Sequence, residues 1–375
     1  MSREDEAPAL LKDLLGPAAL QVIADAGKAA SRRFDRAAFL AAASDGLAAL
    51  SIMERVRHIA GALHRALPTD YLTALAVVRA MGPRLTHAFQ AMAVTEYVAR
   101  FGLGEIDASL EAIADLTRHG TGEFAIRPFL VADPARTLGQ MQRWALHPDE
   151  HVRRLASEGS RPRLPWAARV PALRDDPTLA APILDALRSD PSMYVRKSVA
   201  NHLNDISRDR PDWVVERLAG WSQDDAATRW IVRHALRTLI KRGDARALAL
   251  VGAGGVTRVE VTSFVVSPVV VTLGEAITLE AALVSRSETA QKLVVDYGVH
   301  YVRARGKTAN KVFKWKTFVL EPGATATLVT RQVIRDLSTR RHYPGVHQVD
   351  LLVNGATLAQ GRFELRGESQ GRPGR

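Results

Sequence analysis

The chain has 375 residues, enough for more than one hydrophobic core, and its 47% hydrophobic and 24% charged content is that of ordinary soluble globular protein. It contains no cysteine, which excludes disulfides, thiolate metal ligands and cysteine nucleophiles together; it has no long uncharged apolar run, and the start MSREDEAPAL has no basic stretch leading into an apolar segment, so a cytoplasmic protein without a membrane anchor is expected. Lysine and arginine number 51 against 40 acidic residues, a net charge of +11, and the whole excess lies beyond residue 120. Such a balance points to a polyanion partner, because neutralising phosphates releases counterions. The other reading is compositional, since arginine far outnumbers lysine and alanine is abundant, as in GC-rich genomes.

Residues 9–15 and 18–30 carry apolar side chains at three- and four-residue spacing, and 36–63 continues the pattern through Phe39, Leu47, Leu50, Met53, Val56 and Ile59. Leu67-Pro68-Thr69-Asp70 is a stop followed by an N-cap, which predicts a helix over 71–81 ended by Gly82-Pro83. Helices follow at 89–101 and 106–116, and Thr121-Gly122-Glu123 is read as the opening of the next, ending at Pro128 or Leu130. Further helices are predicted over 133–144, 150–158, 179–187, 192–203, 211–218 and 226–241, joined by short loops.

Within this series one helical unit is written twice. In HPDEHVRRLASEGSRPRLPW (147–166) Val152, Arg153 and Ala156 precede Glu158; in SMYVRKSVANHLNDISRD (192–209) Val195 and Arg196 recur 43 residues later and Ala200 44 residues after Ala156, with Asn201 where Glu158 stood. Asp133-Pro134 and Asp176-Pro177 show the same interval. Helix pairs with this punctuation are the pattern of HEAT-like repeats, which bury their apolar faces only by stacking on neighbours. The expected fold is an all-α HEAT-like α-solenoid of roughly six or seven pairs over 1–252.

At Gly252-Ala253-Gly254-Gly255 the period changes to two, with valine- and threonine-rich runs at 259–266, 269–273, 276–284, 292–302, 311–320, 326–333, 345–353 and 360–365. Asn354-Gly355 is a type I′ hairpin signal. Short strands at this spacing predict an all-β immunoglobulin-like sandwich over 256–366, followed by a disordered basic tail at 367–375.

No phosphate-cradling loop, metalloenzyme His-x-x-x-His spacing or serine nucleophile elbow is present, so neither metal nor cofactor is expected. What remains is a set of carboxylates on successive second helices inside a basic field: Glu123, Glu158 and Asp205, with Trp166 following Glu158. Carboxylates on a surface that binds DNA repel phosphate and so ask for a reason. Each also has a plainer reading. Glu123 fits the favourable end of a helix dipole, Glu158 and Asp205 fit ion pairs with Arg154, Arg161 or Arg208, and Trp166 fits a loop anchor. Arg153, Arg154, Arg161, Arg163, Arg196, Lys197, Arg233 and Arg237 recur at helical spacing and form a candidate phosphate track, although HEAT units also use arginine, here Arg153 and Arg196 especially, to bond neighbouring helix ends. In the strand region Lys307, Lys311, Lys314, Lys316, Arg340 and Arg341 form a second basic group, read either as a further DNA clamp or as protection of sheet edges.

TGEFAIRPFL (121–130), the two repeat segments and the strand-rich C-terminal part together resemble the HEAT-like-repeat DNA alkylation repair glycosylases, and among them the AlkC branch with an Ig-like C-terminal domain. The resemblance implies a monofunctional glycosylase, free of cofactors, that excises cationic N-methylated bases, notably 3-methyladenine, from double-stranded DNA; whether 3-methylcytosine is also taken stays open at this point, and a monomer is expected. It carries the catalytic site to Glu158, Asp205, Glu123 and Trp166, flanked by Arg154 and Arg161, and implies that the base stays largely stacked rather than entering a deep pocket. The competing expectation is a non-catalytic HEAT scaffold that binds DNA or protein through its concave face.

Overall fold

The computed structural model describes residues 10–337 and 340–367; the expected tail lies, but for Gly367, outside the described residues. The first helices are α1 (Pro17–Ala30), α2 (Arg36–Ser44), α3 (Ile52–Ala66), α4 (Tyr71–Met81), α5 (Ala88–Phe101) and α6 (Ile106–Leu116). The apolar spacing that continues over 36–63 is divided between two helices, α2 and α3. Gly46 turns through the left-handed region at φ 65, and Ser51 with Glu54 forms a capping box in which the Ser51 amide donates to Glu54 Oε2 at 2.8 Å. That S-x-x-E signal stands in the sequence, but the unbroken apolar spacing masks it.

Next come α7 (Arg127–Ala132), α8 (Pro134–Trp144), α9 (Glu150–Gly159), α10 (Pro171–Asp175), α11 (Ala181–Ala186), α12 (Met193–Ile206), α13 (Pro211–Ala219), α14 (Ala226–Ala235), α15 (Arg237–Lys241) and α16 (Ala245–Leu250). Asp133 caps α8 by accepting from the Arg136 amide at 3.0 Å, and Asp149 caps α9 by accepting from the His151 amide at 2.8 Å. α9, α12 and α14 lie side by side as one layer, with α8 and α11 packed behind α9. The repeat interval seen in the sequence is therefore the interval between neighbouring second helices. Residues 123–126 are turns, where the helix was expected to open at Thr121, so Glu123 precedes α7 by a full turn of chain and the helix-dipole reading of it falls.

Two compact units emerge. The first ends at Arg210 and resumes over Trp221–Ala235; the second comprises Pro211–Gly220 and the chain from Leu236 onward. The change from helix to strand falls where the sequence changes period, but α13, α15 and α16 belong with the strands. Lys292 Nζ donates to the Val251 carbonyl at 2.7 Å and Lys241 Nζ to the Val312 carbonyl at 3.0 Å within that second unit.

Its strands are β1 (Val259–Ser267), β2 (Val270–Thr272), β3 (Ala276–Ser285), β4 (Gln291–Val302), β5 (Thr308–Leu320), β6 (Thr325–Val333), β7 (Gly345–Val353) and β8 (Ala356–Arg366). They form a three-stranded sheet, β1-β3-β6, and a five-stranded sheet, β2-β8-β7-β4-β5. Ile277 and Leu279 of β3 meet Tyr297 and Val299 of β4 and Phe363 of β8 in one shared core, and Leu283 meets Leu293 and Leu351 in another. That is the two-sheet sandwich expected from the alternation. Asn354 and Gly355, both at positive φ, make the tight turn between β7 and β8.

Candidate active site

The carboxylates singled out in the sequence meet in the first unit. Glu158 stands at the C-terminal end of α9 and Asp205 near that of α12, and the loop after α9 inserts Arg161 between them. Arg161 Nη1 donates to Glu158 Oε1 at 2.5 Å and its Nε to Asp205 Oδ2 at 2.8 Å. From the other side Arg154 Nη1 donates to Glu123 Oε2 at 2.6 Å, while its Nη2 lies 3.7 Å from Glu158 Oε1. The result is an alternating chain, Glu123, Arg154, Glu158, Arg161, Asp205, drawn from the segment before α7 and from two neighbouring repeats. Its formal charge is one negative unit.

The ion-pair reading and the chemical reading therefore hold at once, but these are not surface pairs. Glu123, Glu158, Arg161 and Asp205 are all buried. A buried carboxylate persists only with charged hydrogen-bonding partners, and the two guanidinium groups supply them where a carboxylate cluster would otherwise call for a metal ion. Among the described residues no group of three or more His, Cys, Asp or Glu is placed to hold one. Burial pushes the Asp205 carboxyl above its ordinary range, Arg161 pulls it back, and the nearby Glu158 charge adds to the rise. Burial opposes charge on Arg154, yet Glu123 and Glu158 more than offset it and hold its pKa above the usual value. Arg154 also stacks 4.7 Å from the ring centre of Tyr194 at the start of α12.

Glu123 and Glu158 open onto a cleft of about 350 Å³. Arg161 and Thr121 share its polar side, and Phe89, Met92, Phe124, Leu164 and Trp166 form its apolar walls. Asp205 does not line it and acts on it through Arg161. Trp166 is 63% exposed and adopts φ 64, a left-handed conformation that few non-glycine residues take.

A residue absent from the sequence reading sets that loop. Arg127, the first residue of α7, is buried, and burial with the neighbouring Arg161 charge lowers its pKa to about 10. Its Nη1 donates to the carbonyls of Gly159 and Arg161 at 2.9 Å each, and its Nε to that of Ala168. The chain from the end of α9 to Ala168 is thus clamped on both sides of Trp166. Gly159 permits the approach, because a Cβ there would stand 2.6 Å from Ile126 Cγ2. On α12, burial lowers the pKa of His202 to about 3, so it is neutral, and its Nδ1 lies 3.0 Å from the Ser157 carbonyl. The signal for Arg127 was its place as the lone cation in TGEFAIRPFL.

The expected phosphate track divides. Arg153 Nη1 donates to the carbonyls of His147 and Pro148, and its other nitrogens to Asp190; Arg196 Nη1 donates likewise to the carbonyls of Asp190 and Pro191. Arg229, unremarked in the sequence, does the same to Gln223 and Asp224. These three tie repeat turns together, which is the scaffold role. Lys197 and Arg233 are exposed, Arg163 forks onto Asp209 at 2.7 Å, and Arg237 is half-buried at the start of α15. Lys311, Lys314 and Lys316 are exposed on β5, an edge strand, with Lys307 just before it.

Fold and site define a helical-repeat protein with a buried carboxylate–guanidinium chain beside an aromatic cleft, carrying an immunoglobulin-like sandwich. Residues 119–239 match the family described as DNA alkylation repair enzyme, and 260–367 match the C-terminal Ig-like domain of uncharacterised protein YhaZ. The uncharacterised protein YhaZ of Bacillus subtilis is 39% identical over 306 residues, which cover 82% of this chain and 85% of its own. The Pseudomonas fluorescens alkylpurine DNA glycosylase AlkC, solved bound to DNA containing an abasic site analogue, is 47% identical with a TM-score of 0.92, over 96% of this chain and 100% of that one. The chain belongs to the AlkC type of DNA alkylation repair enzymes with a C-terminal Ig-like domain. Among the described residues no helix is long and apolar enough to cross a membrane.

Proposed function

We propose that the chain is a monofunctional DNA glycosylase that hydrolyses the N-glycosidic bond of cationic N-alkylated bases in duplex DNA, with 3-methyladenine the principal substrate and 3-methylcytosine a second. The observation that carries this reading is the joining of Glu158 and Asp205, from neighbouring repeats, through one buried guanidinium beside an aromatic cleft. A base alkylated on a ring nitrogen is positively charged, so the bond pair leaves with it and neutralises it without prior protonation. The sugar is left with positive charge at C1′, which water then attacks, releasing one proton.

A fixed carboxylate facing C1′ stabilises that charge, and preorganised charge of this kind is commonly the largest catalytic contribution. Glu158 takes this role because it lines the cleft. Glu158 also accepts the proton that the attacking water releases, and Asp205, in its ionised form, holds the Arg161 guanidinium against Glu158 and so fixes that carboxylate. Glu123 faces the lesion side, and Trp166 packs against the deoxyribose or the cationic base. Because the base needs no acid, the site has only to reach C1′, and the base can stay stacked. Lys197, Arg233, Lys307, Lys311, Lys314 and Lys316 supply phosphate contacts in this reading.

The test is release of methylated base from duplex DNA with products identified by mass. Glu158→Gln should lower the single-turnover rate by about two to three orders of magnitude, the effect of removing one preorganised transition-state contact. DNA affinity should be unchanged or higher, because a charge that repels phosphate is gone. Full activity of both Glu158→Gln and Asp205→Asn would remove the cluster from the chemistry.

A further inference from the structure

The loop that inserts Arg161 between the carboxylates continues into a second, separate concavity of about 210 Å³, lined by Pro162, Arg163, Arg169, Arg174, Asp175, Asp209 and Arg210. Four guanidinium groups face two carboxylates there, a surplus of two positive charges. The carboxylates serve to orient cations. Asp209 holds Arg163 through both of its oxygens, at 2.7 and 2.9 Å from Nη2, and Asp175 accepts from Arg174 Nε at 2.9 Å, while its carbonyl accepts from Arg210 Nη2 at 3.2 Å. Arg169 is exposed and has no hydrogen-bond or ion-pair partner among the described residues. It follows directly on Ala168, whose carbonyl Arg127 fixes, so its backbone is held although its side chain is not engaged.

Two rungs join this loop to the end of α12. Arg161 bonds Asp205, and two residues on Arg163 bonds Asp209, in the turn that follows α12. The reaction cluster and the arginine pocket are therefore set in register by the same pair of segments. Planar guanidinium forks suit a tetrahedral oxyanion, which they grip in bidentate fashion.

We propose that this pocket, with the unengaged Arg169 and the Asp175-oriented Arg174 as its exposed cations, holds a backbone phosphate of the DNA strand that carries the reacting nucleotide, and so fixes which sugar stands opposite Glu158. The inference rests on the duplex-DNA reading above. The test uses the full chain and duplexes with an abasic-site analogue in which one phosphate at a time, along the damaged strand, is replaced by a neutral methylphosphonate. For the unaltered protein one position near the lesion should weaken binding by about tenfold, the loss of charge-assisted hydrogen bonds. In the Arg169→Ala, Arg174→Ala double variant the same replacement should cost less than about twofold, because its partner is gone. Both side chains are exposed, so the variant is expected to fold. An equal penalty at every position in both proteins would overturn the phosphate site. Absence of base release from methylated DNA by the unaltered protein would instead overturn the glycosylase reading, and the methylphosphonate comparison, which needs no turnover, would still decide this one.

Discussion

Asp205 is the residue whose environment makes the sharpest statement about pH. Its pKa is raised chiefly by burial, and the proposed chemistry needs its ionised form. The rate should therefore fall as pH drops through the raised value, so the acid limb lies above the ordinary 3.8 of an aspartate. Stability moves the opposite way. The native state binds the proton more tightly than the unfolded chain, so stability declines as pH rises between 3.8 and the raised value. A pH–rate profile of base release checks the first sign and denaturant unfolding across the same range the second; an acid limb at ordinary carboxylate pH would count against Asp205 as the titrating group. The contrast of Glu158 with Asn201 in otherwise matching repeats made the carboxylate legible in the sequence, as did the Asp205 position at the end of the next second helix. Arg161 stood in the sequence as one of three candidate ion-pair partners, but its insertion between both carboxylates was not legible, because the course of a Pro-containing loop is set by tertiary contacts with Arg127 rather than by local pattern.

At the scale of elements, one buried side chain, Arg127, clamps both ends of the loop from Gly159 to Ala168. Replacing Arg127 by Met leaves the buried carbonyls of Gly159 and Arg161, and that of the exposed Ala168, without their donor, and buried acceptors left unsatisfied cost roughly 1–3 kcal/mol each. The left-handed turn at Trp166 then loses what holds it. A loss of about 3 kcal/mol or more in denaturant unfolding is expected, together with slower base release, and Arg127→Lys should recover part of the stability. Arg196 gives the complementary case. Its bonds go to the carbonyls of Asp190 and Pro191, so Arg196→Ala should cost about 1–2 kcal/mol of stability while leaving the salt dependence of DNA binding where it was. The apolar periods located most helices and all eight strands to within a few residues. They failed where side-chain capping overrides periodicity, at Ser51 and Glu54, and where turns follow one another, at Glu123.

Across the whole molecule the period change near Gly252 and the compact division do not coincide, and this governs how the C-terminal unit is to be tested. Truncation at residue 256 would strip α13, α15 and α16 of the strands they pack with, so any loss of DNA binding would report damage as readily as a lost contact. Neutralising exposed charge avoids that. Lys311 and Lys316 lie on the edge strand β5, each above its own aromatic neighbour, Lys311 Nζ 5.3 Å from the centre of Phe313 and Lys316 Nζ 5.6 Å from that of Phe318. As phosphate contacts, each releases about one counterion on binding, so Lys311→Ala with Lys316→Ala should flatten the slope of log affinity against log salt by roughly 1.8. As edge protection alone, the pair should leave the slope untouched and instead promote self-association, because an unguarded edge strand is free to pair with another copy. DNA affinity measured over a salt series, with sedimentation of the same variant, separates the two.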